Sequence, residues 1–126
     1  MDYKVHNGRN ISRLGFGCMR FPKVEGSDFA IDEEKASALL LKAYEKGINY
    51  FDTAYPYHGF TSEAFVGRVL KALPRENINI VTKMPVGMIK NGLEEAKEIF
   101  QKQLENLQTD YFDYYLLHAI NLKAFH

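Results

Sequence analysis

The sequence predicts a parallel α/β fold, and three observations support this prediction. Predicted strands and helices alternate along the chain, which is the order of parallel α/β proteins. The predicted strands are continuous apolar runs without a regular change between buried and exposed positions, as expected for parallel strands covered on both faces. The strand–helix unit recurs at roughly thirty-residue spacing, which is typical of a βαβ unit.

The first predicted element is a small hairpin, YKVHNGRN, which turns at Asn7-Gly8. An Asn-Gly pair favours the positive φ angles of a tight hairpin turn. The run that follows, ISRLGFG, is predicted as the first strand of the parallel sheet. Three further strands are predicted at INYF, INIVT and YFDYYLL, each of them after a helix.

Three helices are predicted, because apolar residues recur on one face of each segment. Acidic residues at a start, and Gly or Pro at an end, set the predicted limits. These limits are the acidic turn 32–34 to Gly47, Thr61 or Ser62 to Pro74, and a start after Asn91-Gly92. The predicted buried face of the first helix comprises Ala36, Leu39, Leu40, Ala43 and Tyr44, and that of the third comprises Leu93, Ala96, Phe100, Leu104 and Leu107.

The bulk composition disfavours several classes of protein. The 126 residues carry 16 basic and 16 acidic side chains, whereas proteins that bind nucleic acid or anionic membranes usually carry a basic surplus. No apolar run is long enough to span a bilayer, and the first ten residues lack the apolar core of a signal peptide. The single cysteine fits a reducing compartment. We therefore expect a cytoplasmic protein without nucleic-acid or membrane partners.

Titratable residues follow three of the predicted strands at the point where each strand ends. Asp52, Lys83 and His118 occupy these positions, about one strand–helix unit apart, and Tyr57 lies in the loop after Asp52. The carboxyl ends of parallel strands meet on one face, so we expect the four side chains to surround one cleft.

This quartet suits delivery of a proton to an oxygen that gains negative charge. A phenol is a poor proton donor near neutrality, and a neighbouring ammonium such as Lys83 favours the loss of its proton. Asp52 would hold Lys83 in place, and a neutral His118 would orient a substrate oxygen towards Tyr57. A carbonyl oxygen gains such charge during reduction, and the hydride must then come from a nicotinamide cofactor, since no side chain supplies one.

Three segments carry a resemblance to a known family. FDTAYPYHGFTSEAFVGRVL, NINIVTKMP and FQKQLENLQTDYFDYYLLHA resemble successive signatures of the aldo-keto reductases, from about Ile11 to His118. The resemblance implies an NADPH-dependent carbonyl reductase with a (β/α)8 TIM barrel. It assigns Tyr57 as the general acid and Lys83 as the partner that favours the release of the phenol proton. It further assigns Asp52 as the supporting carboxylate and His118 as the residue that orients the carbonyl.

The resemblance also implies where the cofactor approaches. In this family the loop after the first strand lies near the cofactor, which here corresponds to Gly17, Cys18, Met19 and Arg20, together with Asp52. LGFGCMRFP and LLHAIN resemble a bacterial branch whose longer members carry a C-terminal iron–sulfur segment. Any such cluster would belong to a segment outside these 126 residues. Ala119 departs from the aromatic residue of many relatives, so their substrate pockets do not transfer to this chain.

A complete barrel of this fold needs on the order of 250 residues. Residues 1–126 are therefore predicted as a partial barrel domain, incomplete at its C-terminal end. This N-terminal half comprises four parallel strands and three helices after the hairpin. The chain would then be a fragment of a longer reductase, or would pair with another chain that completes the sheet. We expect the isolated chain to lack reductase activity and to self-associate through exposed sheet edges.

Other interpretations remain open at this point. The chain could be a non-catalytic redox-sensing or regulatory module of the same fold, or Lys83 could form a Schiff base in an aldolase-type barrel. Asp110 and Asp113 are interpreted as structural, and Tyr55 as structural or a pocket wall. His6, His58 and His126 have no assigned role. No spacing typical of metal ligands occurs, so no metal site is predicted.

Overall fold

The chain begins with an antiparallel hairpin of strands β1 (Tyr3–His6) and β2 (Arg9–Ser12). A computed structural model describes residues 1–125, and His126 lies outside the described part. Asn7 and Gly8 form the hairpin turn with φ angles of 48° and 75°, the left-handed conformation that a two-residue hairpin turn requires. The predicted hairpin is confirmed.

A parallel sheet of four strands follows, with the strands in chain order. These strands are β3 (Phe16–Gly17), β4 (Tyr50–Asp52), β5 (Asn79–Met84) and β6 (Tyr114–Leu117). All three pairings are parallel, which confirms the predicted sheet.

The first sheet strand is shorter than the sequence predicts. Ile11 and Ser12 of the run ISRLGFG belong to the hairpin, and only Phe16 and Gly17 join the parallel sheet. The Ser12 hydroxyl donates to the carbonyl of Leu14 at 2.7 Å. This local hydrogen bond turns the backbone between the two sheets and accounts for the division of the run.

Three long helices cover the sheet, as predicted. They are α1 (Glu33–Glu45), α3 (Ser62–Leu70) and α4 (Leu93–Leu107). Two four-residue elements, α2 (Tyr57–Phe60) and α5 (Leu122–Phe125), are too short for periodicity to reveal. Short 3-10 turns at Arg75–Asn77 and Val86–Met88 precede and follow β5.

The hydrophobic core joins the helices to the sheet. Buried members from each layer include Leu40 of α1, Phe51 of β4 and Phe65 of α3. Two predicted core residues are instead exposed, Leu39 by 48% and Leu93 by 68%. Leu39 lies beside the line of small and apolar residues through which α1 is buried, and Leu93 opens α4 one turn before its burial begins. Among the helices of residues 1–125, none is long and apolar enough to cross a membrane.

Candidate active site

The carboxyl ends of the parallel strands bring the predicted residues to one edge of the sheet. In the register of β3 and β4, Gly17 lies opposite Asp52. β5 continues beyond the end of β4 and carries Lys83, which is paired with Leu116 of β6. His118 follows β6 directly, and its backbone N–H donates to the carbonyl of Met84 at 3.0 Å.

Lys83 is the centre of the cluster. Its ammonium donates to both carboxylate oxygens of Asp52, at 2.9 Å each, and to the carbonyl of Thr53 at 2.7 Å. The three N–H bonds of the ammonium are thereby occupied. The Lys83 side chain is only 13% exposed and that of Asp52 is 29% exposed. The ion pair is therefore partly buried, and Asp52 is the more accessible partner.

Tyr57 faces the ion pair and the histidine. The Lys83 ammonium lies 4.9 Å from the centre of the Tyr57 ring, within the range of a cation–π contact. The rings of Tyr57 and His118 meet edge to face, with centres 5.9 Å apart at 89°. Asp52, Tyr57, Lys83 and His118 therefore converge on one site, although they come from three different strand ends.

The turn that carries Tyr57 has an unusual backbone. His58, Gly59 and Phe60 all have positive φ, of 53°, 60° and 69°, and such angles are uncommon for residues other than glycine. A Cβ on Gly59 would lie 2.9 Å from the Phe29 ring. The Thr61 hydroxyl donates to the carbonyl of His58 at 2.6 Å and braces this turn. Local strain of this kind is frequent at functional sites.

His58 links the turn to the segment after β3. The ring is buried, its Nε2 accepts from the backbone N–H of Phe21 at 3.1 Å, and its Nδ1 bonds the carbonyl of Phe29 at 3.0 Å. The ring is thus a neutral imidazole with the proton on Nδ1. Sequence reasoning left His58 without a role, because no spacing signal connects it to residues 37 and 29 positions earlier.

The loop after β3 contains the residues predicted to approach a cofactor. Gly17, Met19 and Arg20 are exposed, whereas Cys18 is fully buried. The Cys18 N–H donates to the carbonyl of Asp52 at 2.8 Å, and its own carbonyl accepts from the Ser62 hydroxyl at 3.3 Å. Burial raises the pKa of the Cys18 thiol far above its ordinary range, and the Asp52 carboxylate raises it further. Cys18 thus anchors the loop beneath the exposed residues.

A buried polar cluster lies behind Lys83, between β5 and the helices. Glu63 of α3 accepts from Thr82 at 2.6 Å and from Gln103 of α4 at 2.9 Å. Gln103 also donates to the carbonyl of Lys83 at 2.8 Å. Sequence reasoning missed this cluster, because a Glu and a Gln within helices are ordinarily interpreted as surface residues.

Within residues 1–125, no group of three His, Cys, Asp or Glu side chains is placed to hold a metal ion. The arrangement instead combines an ammonium, a carboxylate, a phenol and an imidazole. Such a set can bind a polar oxygen and deliver a proton to it.

Comparisons with known proteins find a family model and relatives that match most of the chain. A model of the Aldo/keto reductase family matches residues 13–124. A probable aldo-keto reductase of Glycine max is 32% identical over 121 residues, which cover 90% of this chain and 34% of that protein.

Solved structures of aldo-keto reductases are also similar. A thermostable aldo-keto reductase in complex with the inhibitor epalrestat superposes with a TM-score of 0.80 and 30% identity, covering 98% of this chain and 44% of that one. An aldo-keto reductase from Klebsiella pneumoniae in complex with NADPH gives a TM-score of 0.70 and 25% identity, covering 86% and 36%. The chain thus spans about a third of the length of the curated relatives that it matches.

Proposed function

The chain belongs to the aldo/keto reductase family, and on this premise we propose that its side chains serve the NADPH-dependent reduction of an aldehyde or ketone to an alcohol. The predicted fold agrees with membership, since the neighbours are TIM-barrel reductases and the chain forms four parallel strands after a hairpin. The observation that carries the proposal is the convergence of Asp52, Lys83, Tyr57 and His118 at one edge of the sheet.

When bound, NADPH would supply the hydride for the carbonyl carbon. The Tyr57 hydroxyl donates its proton to the carbonyl oxygen, and the resulting phenolate takes a proton back from water. The Lys83 ammonium favours the loss of the phenol proton from Tyr57, because a nearby positive charge stabilises the phenolate. Asp52 holds Lys83 through two hydrogen bonds, and His118 orients the carbonyl.

The loop after β3 fits one side of a cofactor site. Gly17 lies opposite Asp52, and a Cβ at Gly17 would meet no atom within 4 Å, so the space beside the strand end is open. Met19 and Arg20 are exposed on the same loop. We propose that these three residues and Asp52 contact the cofactor, with Cys18 holding the loop from within. The NADPH complex of the Klebsiella pneumoniae protein supports the choice of cofactor.

The hydrogen bonds of Lys83 disfavour the Schiff-base alternative. A nucleophilic amine needs a free lone pair, and Schiff-base lysines are typically desolvated in apolar pockets. Lys83 instead donates to two carboxylate oxygens and a carbonyl, the environment of a protonated amine. We therefore propose an electrostatic role for Lys83.

Replacing Tyr57 tests the proposal. In the protein purified at its natural length, Tyr57→Phe should lower the rate of NADPH oxidation with a panel of aldehydes by about 10²-fold or more, because the general acid is removed. Tyr55→Phe is the matched control: Tyr55 packs edge to face on Phe60 with ring centres 5.3 Å apart, and we expect activity close to that of the wild type. Equal activity of wild type and Tyr57→Phe would refute the assignment.

The same assay of NADPH oxidation tests whether the isolated 126-residue polypeptide is active. In the described part of the chain, β3 and β6 each pair on one side only, and Leu116 and Leu117 of β6 are exposed. We propose that this polypeptide alone lacks reductase activity and self-associates through these edges. Robust turnover by a monomer of this length would contradict the proposal.

We also propose a cytoplasmic location, because the single cysteine fits a reducing compartment.

A further inference from the structure

The backbone at Lys83 lies where the pairing of β5 with β4 has ended. The last paired residues are Asp52 and Val81, and the next N–H of β4, that of Thr53, donates to the carbonyl of Val81 at 2.9 Å. In a parallel strand, every second carbonyl faces the same neighbour. The carbonyl of Lys83, two residues after Val81, therefore faces the side of β4 without a strand to bond it.

A side chain from the helix layer takes the place of that strand. The Gln103 amide donates to the carbonyl of Lys83 at 2.8 Å. Gln103 is fully buried, so water does not compete for this hydrogen bond. The amide oxygen of Gln103 accepts from the Tyr115 hydroxyl at 2.5 Å, and burial raises the pKa of Tyr115 to about 12, which keeps its phenol in the donating form.

Glu63 holds the nitrogen of the Gln103 amide. The NH2 group that donates to the carbonyl of Lys83 also donates to Glu63 at 2.9 Å. Glu63 is 1% exposed and accepts in addition from Thr82 and from Asn106, at 2.6 and 3.3 Å. A buried carboxylate with only neutral hydrogen-bond donors is costly, and its position here is explained by the amide that it orients.

We propose that Gln103, oriented by Glu63 and Tyr115, is a positioning residue that fixes the backbone of Lys83 and thereby aims its ammonium at Asp52 and Tyr57. The importance of that aim for catalysis rests on the proposed reductase function. The positioning itself is a property of Lys83, and it can be measured without any activity.

The test is the chemical reactivity of the Lys83 amine. Trace acetylation with acetic anhydride, read by mass spectrometry in the protein at its natural length, compares Lys83 with the exposed Lys46. In the wild type, the hydrogen bonds to Asp52 and Thr53 protect Lys83. Gln103→Met keeps the length of the side chain but removes the donor, and Lys83 should then react about fivefold faster relative to Lys46, the factor that corresponds to one net hydrogen bond.

Two control variants distinguish the loss of the Gln103–Lys83 hydrogen bond from a general loss of stability. Glu63→Gln keeps an acceptor for Thr82 and Gln103, so the reactivity of Lys83 should stay within twofold of the wild type. Asn106→Ala removes the hydrogen bond to the oxygen of Glu63 that does not accept from Gln103, and it should also leave Lys83 protected. Where Gln103→Met fails to fold, the double variant Glu63→Leu/Gln103→Met removes the buried charge together with its partner, a change that is often nearly neutral for stability.

The outcomes are distinct from those of the activity assay. Faster acetylation of Lys83 in the Gln103 variants, with Lys46 unchanged and cooperative thermal unfolding, would support the proposal even if no carbonyl substrate were reduced. An unchanged Lys83 rate in a folded Gln103 variant would overturn it. An equal rise at Lys46 and Lys83 would also overturn it, because that result would mean general loosening of the fold.

Discussion

At the scale of single residues, the proposed site is supported by side chains that do not reach its surface. Glu63 and Gln103 lie behind β5, and His58 lies beneath the loop after β3. Gln103 bonds the backbone of Lys83, Glu63 in turn bonds Gln103, and His58 joins the turn that carries Tyr57 to the segment after β3. In the proposed reaction the half-buried quartet supplies the chemistry, and we propose that these buried groups determine where the quartet lies.

The titration of Glu63 should appear in the pH dependence of stability. Burial raises the pKa of Glu63 in the folded protein, although hydrogen bonds from Thr82, Asn106 and Gln103 oppose the rise. The folded state then holds the proton more tightly than the unfolded state. The stabilisation from this group is complete below the ordinary glutamate pKa, and it is lost as the pH rises through the raised value.

Glu63→Gln tests this expectation. Urea denaturation over a pH series should show that the free energy of unfolding of the wild type, relative to that of Glu63→Gln, falls as the pH rises through this window. Glu98→Gln, at an exposed position of α4, should show no such trend. A wild-type advantage that grows with pH would mean that the folded pKa of Glu63 is lowered instead.

The buried Cys18 should not react with thiol reagents in the native protein. The thiolate is the reactive form, and burial raises the pKa of Cys18 in addition to shielding its sulfur. Ellman's reagent should therefore not modify the native protein, and it should modify one thiol per chain after denaturation. The signal is unambiguous because the chain has a single cysteine, and Cys18→Ser supplies the blank. Rapid modification of the native protein would show that the loop opens.

At the scale of elements, the approach of α3 to α4 depends on a glycine. A Cβ at Gly67 would lie 2.6 Å from the carbonyl oxygen of Asn106 and 2.8 Å from two backbone atoms of Leu107. Since these neighbours are backbone atoms, they cannot move aside as a flexible side chain would. The close approach allows Glu63 of α3 to meet Gln103 of α4.

Gly67→Ala should therefore lower the free energy of unfolding by about 1–3 kcal/mol, as overpacking does, in spite of the higher helix propensity of alanine. Urea denaturation measures this change. Gly87→Ala is the matched control, because a Cβ there would meet no atom within 4 Å. Equal stability of Gly67→Ala and the wild type would mean that the two helices separate without cost.

At the scale of the whole molecule, Asp113 ties distant parts of the chain together at the end of the sheet opposite the site. Its side chain is 2% exposed and pairs with Arg9 of the hairpin at 2.6 Å and with Arg75 before β5 at 2.8 Å. It also accepts from the backbone N–H of Ile80 at 2.8 Å. The interpretation of Asp113 as structural is confirmed by these contacts, which join the hairpin, β5 and the start of β6.

Asp113→Asn should destabilise the whole fold, because two guanidinium groups would lose their buried counter-charge. We expect a loss of about 3 kcal/mol in the free energy of unfolding, seen as one cooperative shift in urea denaturation. Asp110→Asn changes an exposed neighbour and should stay within about 0.5 kcal/mol of the wild type. A small effect at Asp113 would mean that solvent screens these ion pairs.

Local sequence patterns were sufficient to predict the order of the main elements, the hairpin and the residues at the strand ends. These features depend on local rules: Asn7-Gly8 specifies a tight turn, apolar periodicity specifies α1, α3 and α4, and parallel strands bring Asp52, Lys83 and His118 to the same edge. Periodicity was wrong about burial at Leu39, which lies beside the buried line of α1, and at Leu93, which lies in the first turn of α4.

Tertiary packing, in contrast, determines which polar side chains are buried and which partners they meet. Cys18 anchors the loop after β3 through its carbonyl, and His58 links the turn after Tyr57 to the backbone of Phe21. Gln103, held by Glu63, bonds the backbone of Lys83. The partners in these hydrogen bonds are 20 to 44 positions apart. Because no local spacing encodes such pairs, they arise only when the helices pack on the sheet and exclude water from between them.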